Sequence, residues 1–396
     1  MSHKLIEANA DLRRLREDGY NIAIVGANLV VRDVPYVNEK REVKHDGILV
    51  STLSLNGEIL NKPDTHQIRF AGDRPCTSDG QPMAGLSLVE DTLRITNNLS
   101  TRFHFSSKPP SGRYESYYEK IKTYAALLSG PATTIDRYAS PLTRRVVEPE
   151  DDDSPFQYLD TASARAEINM ITAKLAVEKI AIVGLGGTGS YVLDLLAKTP
   201  VKEIHLFDGD TFSSHNAFRA PGAASKDDLH KQPPKVDYFK DIYSRMHKGI
   251  IPHPADVDGS NVDELRTMTS VFLCIDAGAG KKFVVGKLEE FGLPFFDTGM
   301  GLYVKDEALG GILRLVTSTV DTRATARSRM SLADDDAANE YDKNIQIADL
   351  NALNAVFAVM RWKRLLGFYI DTKHAYYNSF TISSGMLLHE DIHEPG

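Results

Sequence analysis

The chain has 396 residues, of which 42% are apolar and 25% are charged, and its formal net charge is −8. This length predicts two domains, each able to bury a core of its own, and the acidic balance argues against a nucleic-acid-binding surface. With only two cysteines, a disulfide framework and a four-cysteine zinc site are excluded. The charged N-terminus and the lack of an apolar run of ~20 residues predict a cytoplasmic protein that does not contact a membrane.

Residues 1–145 are expected to form a β-rich α+β domain that recruits a partner or a substrate. A short helix is predicted at 5–18 and a strand at 20–31. Between residues 44 and 105, short β-rich runs alternate with turn signals, a pattern typical of an antiparallel sheet. An amphipathic helix that ends at a glycine is predicted at 114–130.

The segment VVEPEDDDSP combines a charge run with two prolines and predicts a linker, which we assign to 146–160. Beyond it, strand and helix patterns alternate through 161–396, which predicts an α/β domain with a Rossmann-like, mostly parallel sheet. One helix is predicted at 161–175. The last core helix is predicted within 345–367, and its predicted buried face consists of Ile347, Leu350, Leu353, Phe357 and Met360.

A strand, a glycine-rich loop and a helix are predicted at 179–200. The glycines fit the spacing G-x-G-x-x-G and are Gly184, Gly186, Gly187 and Gly189. Such a loop lets the backbone approach phosphates, which the N–H groups of the following helix bind. Asp208 ends the next predicted strand, about 20 residues downstream, where an acidic residue binds ribose hydroxyls. NAD and ATP both contain an adenosine ribose, so these residues leave both cofactors open.

Residues further along the chain favour ATP. Asp210, Asn216 and Arg219 follow the second strand closely, and Lys235 comes soon after them. Arginine and lysine neutralise β- and γ-phosphates, and asparagine supplies an amide. Asp276 ends a buried strand, and ligands of open parallel sheets bind beyond the carboxyl ends of the strands. A carboxylate there suits Mg²⁺, so the sequence predicts an ATP site with Asp276 as the metal ligand.

Four motifs, in this order, resemble those of the ThiF/MoeB superfamily, the adenylating fold shared with ubiquitin-activating enzymes. They are GLGGTGS at 184–190, DGDTFSSHNAFR at 208–219, QPPKV at 232–236 and CIDA at 274–277. The resemblance covers roughly 161–389 and does not include the first 150 residues.

This resemblance implies an ATP-dependent adenylyltransferase. In such an enzyme, the C-terminal glycine carboxylate of a ubiquitin-like or sulfur-carrier protein attacks the α-phosphate of ATP, giving an acyl-adenylate and pyrophosphate. The residues that it implies for the ribose, the phosphates and Mg²⁺ are Asp208, Asn216, Arg219, Lys235 and Asp276. It also implies a homodimer, in which Arg165 of one subunit reaches the ATP of the other.

The chain departs from the family pattern at two positions. Ala277 follows Asp276 where the family usually has asparagine, and the usual N-L-x-R is N-A-F-R here. Neither change removes a charged group. No cysteine follows Gly301, so the thioester cysteine of conjugating members is not evident.

Several acceptors for the acyl group therefore stay open: Cys76, a hydroxyl within the polar segment 316–336, or another protein that takes part in a downstream transfer. The segment 316–336 is itself expected to be a loop over the site. Cys274 is interpreted as a small core residue within its strand.

Two other classes of function remain as alternatives. An NAD-dependent oxidoreductase has no use for Asn216, Arg219 and Lys235, and a non-catalytic scaffold that binds nucleotide or a ubiquitin-like protein does not require the full charged set. The segment HEDIH at 389–393 matches the zinc-protease pattern H-E-x-x-H. It shows neither a long helix nor a third ligand, so no zinc site is expected there.

Overall fold

The computed structural model describes residues 2–83, 86–144, 154–177, 179–332 and 345–390. The chain divides into two compact units, Met1–Asp153 with Tyr158–Ile171, and Ser154–Gln157 with Thr172–Gly396. Of the predicted linker, 146–153 lies outside the described residues. Among the helices of the described ranges, none is long and apolar enough to cross a membrane.

The first unit combines helices with antiparallel strands. Its elements are α1 (Ser2–Ala8), α2 (Ala10–Asp18), β1 (Asn21–Val25), β2 (Asn28–Val37), β3 (Val43–Thr52), β4 (Leu55–Asn56), β5 (Ile59–Leu60), β6 (Gln67–Ala71), β7 (Ser87–Thr96), β8 (Leu99–Ser106), α3 (Tyr117–Ile135), α4 (Thr161–Arg165) and α5 (Asn169–Thr172), whose last residue belongs to the second unit. The main sheet has the order β1-β2-β3-β6-β8-β7 with antiparallel neighbours, and β4 pairs with β5. This sheet confirms the predicted β-rich α+β character.

Two N-terminal predictions differ from the structure because of local backbone chemistry. The helix predicted at 5–18 is two helices, since Asn9 has an extended backbone and its Nδ2 donates to the Leu5 carbonyl at 2.7 Å. Asparagine competes with helical hydrogen bonds in this way. The strand predicted at 20–31 turns back at Gly26, whose φ of 59° favours glycine. The pair β1 and β2 is therefore a hairpin.

The helix predicted at 114–130 continues to the end of α3, so the prediction that Gly130 ends it is wrong. Both Gly130 and Pro131 lie inside the helix. The next residue, Ala132, is fully buried and packs in a small cluster with Val37. Tertiary packing of this kind overrides the weak helix propensity of glycine and proline.

The second unit is an α/β fold. It contains a 3₁₀-helix (Ala173–Leu175), β9 (Lys179–Val183), α6 (Gly187–Leu196), β10 (Glu203–Phe207), α7 (Ser214–Ala217), α8 (Lys226–Lys231), α9 (Lys235–Tyr243), β11 (Ile250–His253), a 3₁₀-helix (Val262–Thr267), β12 (Ser270–Leu273), α10 (Ala279–Phe291), β13 (Phe295–Lys305), β14 (Ala308–Ser318), α11 (Arg323–Arg327), α12 (Ala348–Leu365), β15 (Tyr377–Thr381) and β16 (Met386–Glu390).

Its sheet has the order β11-β10-β9-β12-β13-β14-β15-β16. The strands from β11 to β13 are parallel and those from β13 to β16 are antiparallel, which confirms the predicted Rossmann-like, mostly parallel sheet. The chain leaves β9 toward β10 and β11, and then crosses to β12 and β13 on the other side. Ligands of open α/β sheets bind at such a switch point, beyond the carboxyl ends of the strands.

One helix prediction and one loop prediction also require correction. The helix predicted at 161–175 is broken into α4, α5 and a 3₁₀-helix, with Glu167 between them at a φ of 58°. The polar loop predicted at 316–336 begins with the end of β14 and contains α11, while 333–336 lies outside the described residues.

The last long helix, α12, lies within the predicted segment but buries a different face. The face predicted to be buried is only half-buried; it consists of Ile347, Leu350, Leu353, Phe357 and Met360. The face that is buried includes Asn351, Asn354, Ala355, Ala358 and Trp362. Because this face packs on α6, small side chains along it allow the two helices to approach closely. Two asparagines are thereby placed in the interior.

Candidate functional site

A cavity of about 510 Å³ lies beyond the carboxyl ends of β9, β10 and β12. Its lining includes three loop glycines and eight charged side chains. The glycines are Gly184, Gly186 and Gly187; the charged residues are Asp208, Asp210, Asp256, Asp276, Arg219, Lys235, Lys281 and Arg314. Most of the residues predicted for the nucleotide and its metal are therefore brought together at one edge of the sheet.

Three of the four loop glycines are required by close contacts. Gly184 has a φ of 90°, and a Cβ there would lie 2.6 Å from the Cys274 carbonyl oxygen. A Cβ on Gly187 would lie 1.9 Å from Nδ2 of Asn351. Gly189 does not line the cavity, and its Cβ would lie 1.9 Å from the Gly184 carbonyl oxygen. The loop thus holds the N-terminus of α6 at the cavity, where its N–H groups suit a phosphate.

The carboxylate of Asp208 has two hydrogen-bond donors and a lysine as partners. Its Oδ2 accepts a hydrogen bond from the Leu185 N–H at 2.7 Å, and its Oδ1 accepts one from the Asp210 N–H at 2.9 Å. The side chain of Lys235, the first residue of α9, places Nζ 3.1 Å from Asp208 Oδ1 and 2.6 Å from Asp210 Oδ2. The two acids and the lysine form one cluster that joins the glycine loop to α9.

Arg219 and Asn216 differ in their position relative to the cavity. Arg219 lines it, and its Nε is buried with no hydrogen-bond partner among the described residues. Asn216 does not line it; its Oδ1 accepts from the Ser213 N–H at 3.0 Å, at the start of α7. The unpaired Arg219 donor suits an anion, whereas the hydrogen bond to Asn216 stabilises the turn that positions Arg219.

Asp276 lies three residues beyond the end of β12, exposed at the cavity. Within the described ranges, no group of three or more histidine, cysteine or carboxylate side chains is arranged to hold a metal ion. Magnesium at nucleotide sites is usually bound by one or two carboxylates together with the phosphates. The single carboxylate of Asp276 therefore fits a metal that is bound with a nucleotide.

Neither cysteine carries a readily ionised thiol. Cys274 follows β12 instead of lying within it, and burial raises the pKa of its thiol to about 12. Cys76 is only 1% exposed, and burial raises the pKa of its thiol as well. Since the thiolate is the nucleophile, these raised pKa values disfavour either thiol as an acyl acceptor.

Arg165 lies in the first unit, at the end of α4. Its Nη2 is 3.3 Å from Asp64 Oδ2, and its side chain is 60% exposed. The predicted contact of Arg165 with the nucleotide of a second subunit stays a prediction. In the HEDIH segment, His389 and Glu390 belong to β16 and not to a helix, while 391–393 lies outside the described residues.

Two family models match the chain, one in its N-terminal part and one in its C-terminal part. The model described as "ThiF family" matches residues 162–393, more than half of the chain. The chain belongs to the ThiF family. A second model, described as "Domain of unknown function (DUF6791)", matches residues 10–161. Membership of the ThiF family supports an adenylating activity and the use of ATP.

Solved structures resemble the chain at low sequence identity. Escherichia coli MccB with MccA-N7isoASN is 17% identical with a TM-score of 0.46, and the match covers 58% of this chain and 72% of that one. PaaA is 17% identical with a TM-score of 0.43, covering 57% and 76%. E. coli MccB with ATP is 16% identical with a TM-score of 0.44, covering 57% and 67%. No curated protein sequence matches the chain.

Some residues of this ThiF-family cavity were missed by sequence analysis. Asn351 accepts from Thr188 Oγ1 at 3.1 Å and donates to the Arg219 carbonyl at 3.3 Å, so it links the glycine loop to the phosphate-binding candidates. Asn354 lines the cavity from the same helix face. The available signal was the pair of asparagines three residues apart in an apolar helix, because that spacing places both on one face.

A buried ion pair below the cavity was also missed. Lys281, in the first turn of α10, places Nζ 2.5 Å from Asp297 Oδ1 on β13, and both side chains are almost completely buried. Burial raises the pKa of Asp297, while Lys281 and Arg314 oppose this shift. The ion pair joins the helix that follows Asp276 to the adjoining strand, and so fixes the backbone that carries the metal candidate.

Replacing Gly187 with alanine is expected to destabilise the ThiF fold by about 1–3 kcal/mol, a typical cost of overpacking a buried contact. The new methyl group would overlap Nδ2 of Asn351 and push α6 away from α12. Urea unfolding gives the change in free energy. The control is Gly286→Ala in α10, where a Cβ meets nothing within 4 Å; equal stability of the two variants would contradict the proposed contact.

Proposed function

We propose that the chain is an ATP-dependent adenylyltransferase that activates the C-terminal glycine carboxylate of a ubiquitin-like or sulfur-carrier protein. The observation that carries this proposal is one cavity lined by the glycine loop, Arg219, Lys235 and Asp276. Such a set combines phosphate donors with a carboxylate for a metal ion. A hydride-transferring enzyme would not need that combination.

The strand order supports one orientation of the proposed nucleotide within the cavity. Asp208 directly follows β10 and is the candidate for the ribose, while the glycine loop follows the neighbouring strand β9. Phosphates that lie on the loop would have Arg219 and Lys235 nearby, and Asp276 on the other side, after β12. In this arrangement Lys235 would exchange its carboxylate partners, Asp208 and Asp210, for phosphate oxygens.

Asp276 is the residue that would hold Mg²⁺ together with the phosphates. When bound, Mg²⁺ neutralises phosphate charge and favours departure of pyrophosphate. The rest of the site would act by position: the loop N–H groups, Arg219 and Lys235 bind phosphate oxygens and orient the α-phosphorus toward the incoming carboxylate.

The reaction proposed for this cavity is one displacement. A carboxylate oxygen of the carrier forms a bond to the α-phosphorus of ATP, the bond from that phosphorus to the bridging oxygen breaks, and pyrophosphate leaves with its electron pair. The attacking carboxylate is already ionised at neutral pH, so no general base is required.

The burial of Cys76 and the raised pKa values of both thiols support transfer of the activated acyl group to a separate protein. In this proposal the enzyme releases the group to a downstream acceptor, and the first unit recruits the carrier or that acceptor. A homodimer with Arg165 at the site of the second subunit is proposed with it.

Isotope exchange between pyrophosphate and ATP tests the activity. We expect the full chain to catalyse exchange with a carrier that ends in glycine, and no exchange when the terminal glycine of that carrier is deleted. The deletion variant is the matched control because it keeps the carrier fold. Exchange that is equally fast without any carrier, or a bound nicotinamide cofactor in the purified protein, would contradict the proposal.

A further inference from the structure

The wall of the cavity opposite the glycine loop is formed by Arg314 on β14. Arg314 pairs in register with Gly299 on β13, and a Cβ on Gly299 would lie 2.6 Å from Nη2 of the arginine. The missing side chain at Gly299 therefore lets the Arg314 guanidinium lie across the neighbouring strand. Both residues line the cavity.

The guanidinium of Arg314 is only partly bonded. Its Nη1 donates to Ser331 Oγ at 2.9 Å, and its Nη2 lies 3.8 Å from Asp297 Oδ2, which exceeds a hydrogen-bond distance. Its Nε is buried and has no partner in the described part of the chain. Since Asp297 already lies 2.5 Å from Lys281, the positive charge of Arg314 is available to a ligand.

An unpaired acceptor lies in the same wall. Asn354 is 1% exposed, and its Nδ2 donates to the Gly299 carbonyl at 3.1 Å. Its Oδ1 is buried without a hydrogen-bond partner among the described residues. An arginine with free donors beside an amide with a free acceptor matches a ligand that carries both a carboxylate and an N–H group. The last residue of a peptide has both groups.

The position in the sheet distinguishes this wall from the nucleotide side. The glycine loop follows β9, and β14 is three strands away in the order β9-β12-β13-β14. At a spacing of about 4.8 Å between strands, this separation is about 14 Å. The candidate metal ligand Asp276 follows β12, between the two sides. A triphosphate held by the loop leaves Arg314 for the other substrate.

We propose that Arg314 and Asn354 form the subsite for the C-terminal residue of the protein to be activated. The guanidinium binds one oxygen of the terminal carboxylate, which leaves the second oxygen to react, and the amide oxygen of Asn354 accepts the N–H of the terminal residue. This inference rests on the proposed function, because it names the side of that cavity where the second substrate binds.

Binding measurements on the full chain test the subsite without catalysis. The probes are a fluorescent hexapeptide ending in Gly-Gly with a free carboxylate, the same peptide with a C-terminal amide, and a fluorescent ATP analogue. We expect the wild-type chain to bind the acid about 10-fold more tightly than the amide, since a charged hydrogen bond is worth roughly that factor. Arg314→Gln is expected to lose this preference and to keep its affinity for the ATP analogue within about twofold.

Two further variants separate binding from folding. Arg314→Lys keeps the charge and should retain part of the preference for the acid, and Asn354→Ala should weaken binding of acid and amide alike. Arg245→Gln, a change at an exposed arginine of the same unit, is the control.

A wild-type chain that does not distinguish acid from amide, or an Arg314→Gln variant that keeps the preference, overturns the subsite. If Arg314→Gln no longer binds the ATP analogue but still prefers the acid to the amide, Arg314 binds phosphate, and this result also overturns the subsite. A wild-type chain that binds no ATP analogue contradicts the proposed function instead.

Discussion

Replacing Asp276 with asparagine is expected to slow pyrophosphate exchange by about 100-fold or more, the usual scale for loss of one electrostatic contact to a transition state. The amide keeps the size of the side chain but removes the charge that would hold the metal ion. The exposed position of Asp276 at the cavity indicates that the fold itself should be unaffected. Exchange rates at several Mg²⁺ concentrations measure the effect.

The matched control for this variant is Asp241→Asn, at an exposed position of α9 in the same unit. It removes the same charge and should leave exchange unchanged. If Asp276→Asn kept the wild-type rate at every Mg²⁺ concentration, Asp276 would not be the metal ligand. A lower rate that excess Mg²⁺ restores would identify weakened metal binding as the defect.

Replacing Lys281 with methionine is expected to lower the free energy of unfolding by about 3–5 kcal/mol, because removing one partner leaves a buried, unpaired charge. The remaining cation, Arg314, is 3.8 Å from Asp297 and compensates only in part. Lys282→Met is the control, since the neighbouring lysine is exposed. Denaturant unfolding of both variants gives the difference, and equal stabilities would contradict the ion pair.

The stability deficit of Lys281→Met should depend on pH. Burial raises the pKa of Asp297, and loss of the lysine removes an opposing effect, so the folded variant favours the protonated carboxyl. Such a group stabilises the fold at low pH and loses this contribution as pH rises through its folded pKa. The deficit should therefore be smaller at pH 5 than at pH 8. The double variant Lys281→Met with Asp297→Leu should recover much of the stability, because no buried charge remains.

The parts of the site that could be predicted are those coded by short segments. A glycine loop between a strand and a helix, and acids at strand ends, follow from local pattern and from the rule that parallel strands place their carboxyl ends together. This explains why Gly184, Asp208, Lys235 and Asp276 line one cavity. The alternating pattern likewise predicted the α/β fold of the second unit.

The residues that could not be predicted depend on contacts between distant segments. Apolar periodicity assigned the wrong buried face to α12, because the interior there favours small and amide side chains over leucine and phenylalanine. To predict the pairing of Lys281 with Asp297, one must know how α10 is aligned against β13. The position of Arg314 needs its antiparallel alignment with Gly299. None of these alignments can be read from local spacing.

The contact between the glycine loop and α12 has a consequence for biosynthesis. Thr188 and Asn351, which bond to each other, are 163 residues apart in the chain. Ribosomes add about 5–20 residues per second, so roughly 8–30 s pass between synthesis of the loop and of its partner helix. Until then the loop has no contact with α12, and the space beside Gly187 that Asn351 occupies in the folded protein is empty. The nascent protein therefore completes the pocket proposed for the nucleotide only after α12 has emerged and docked.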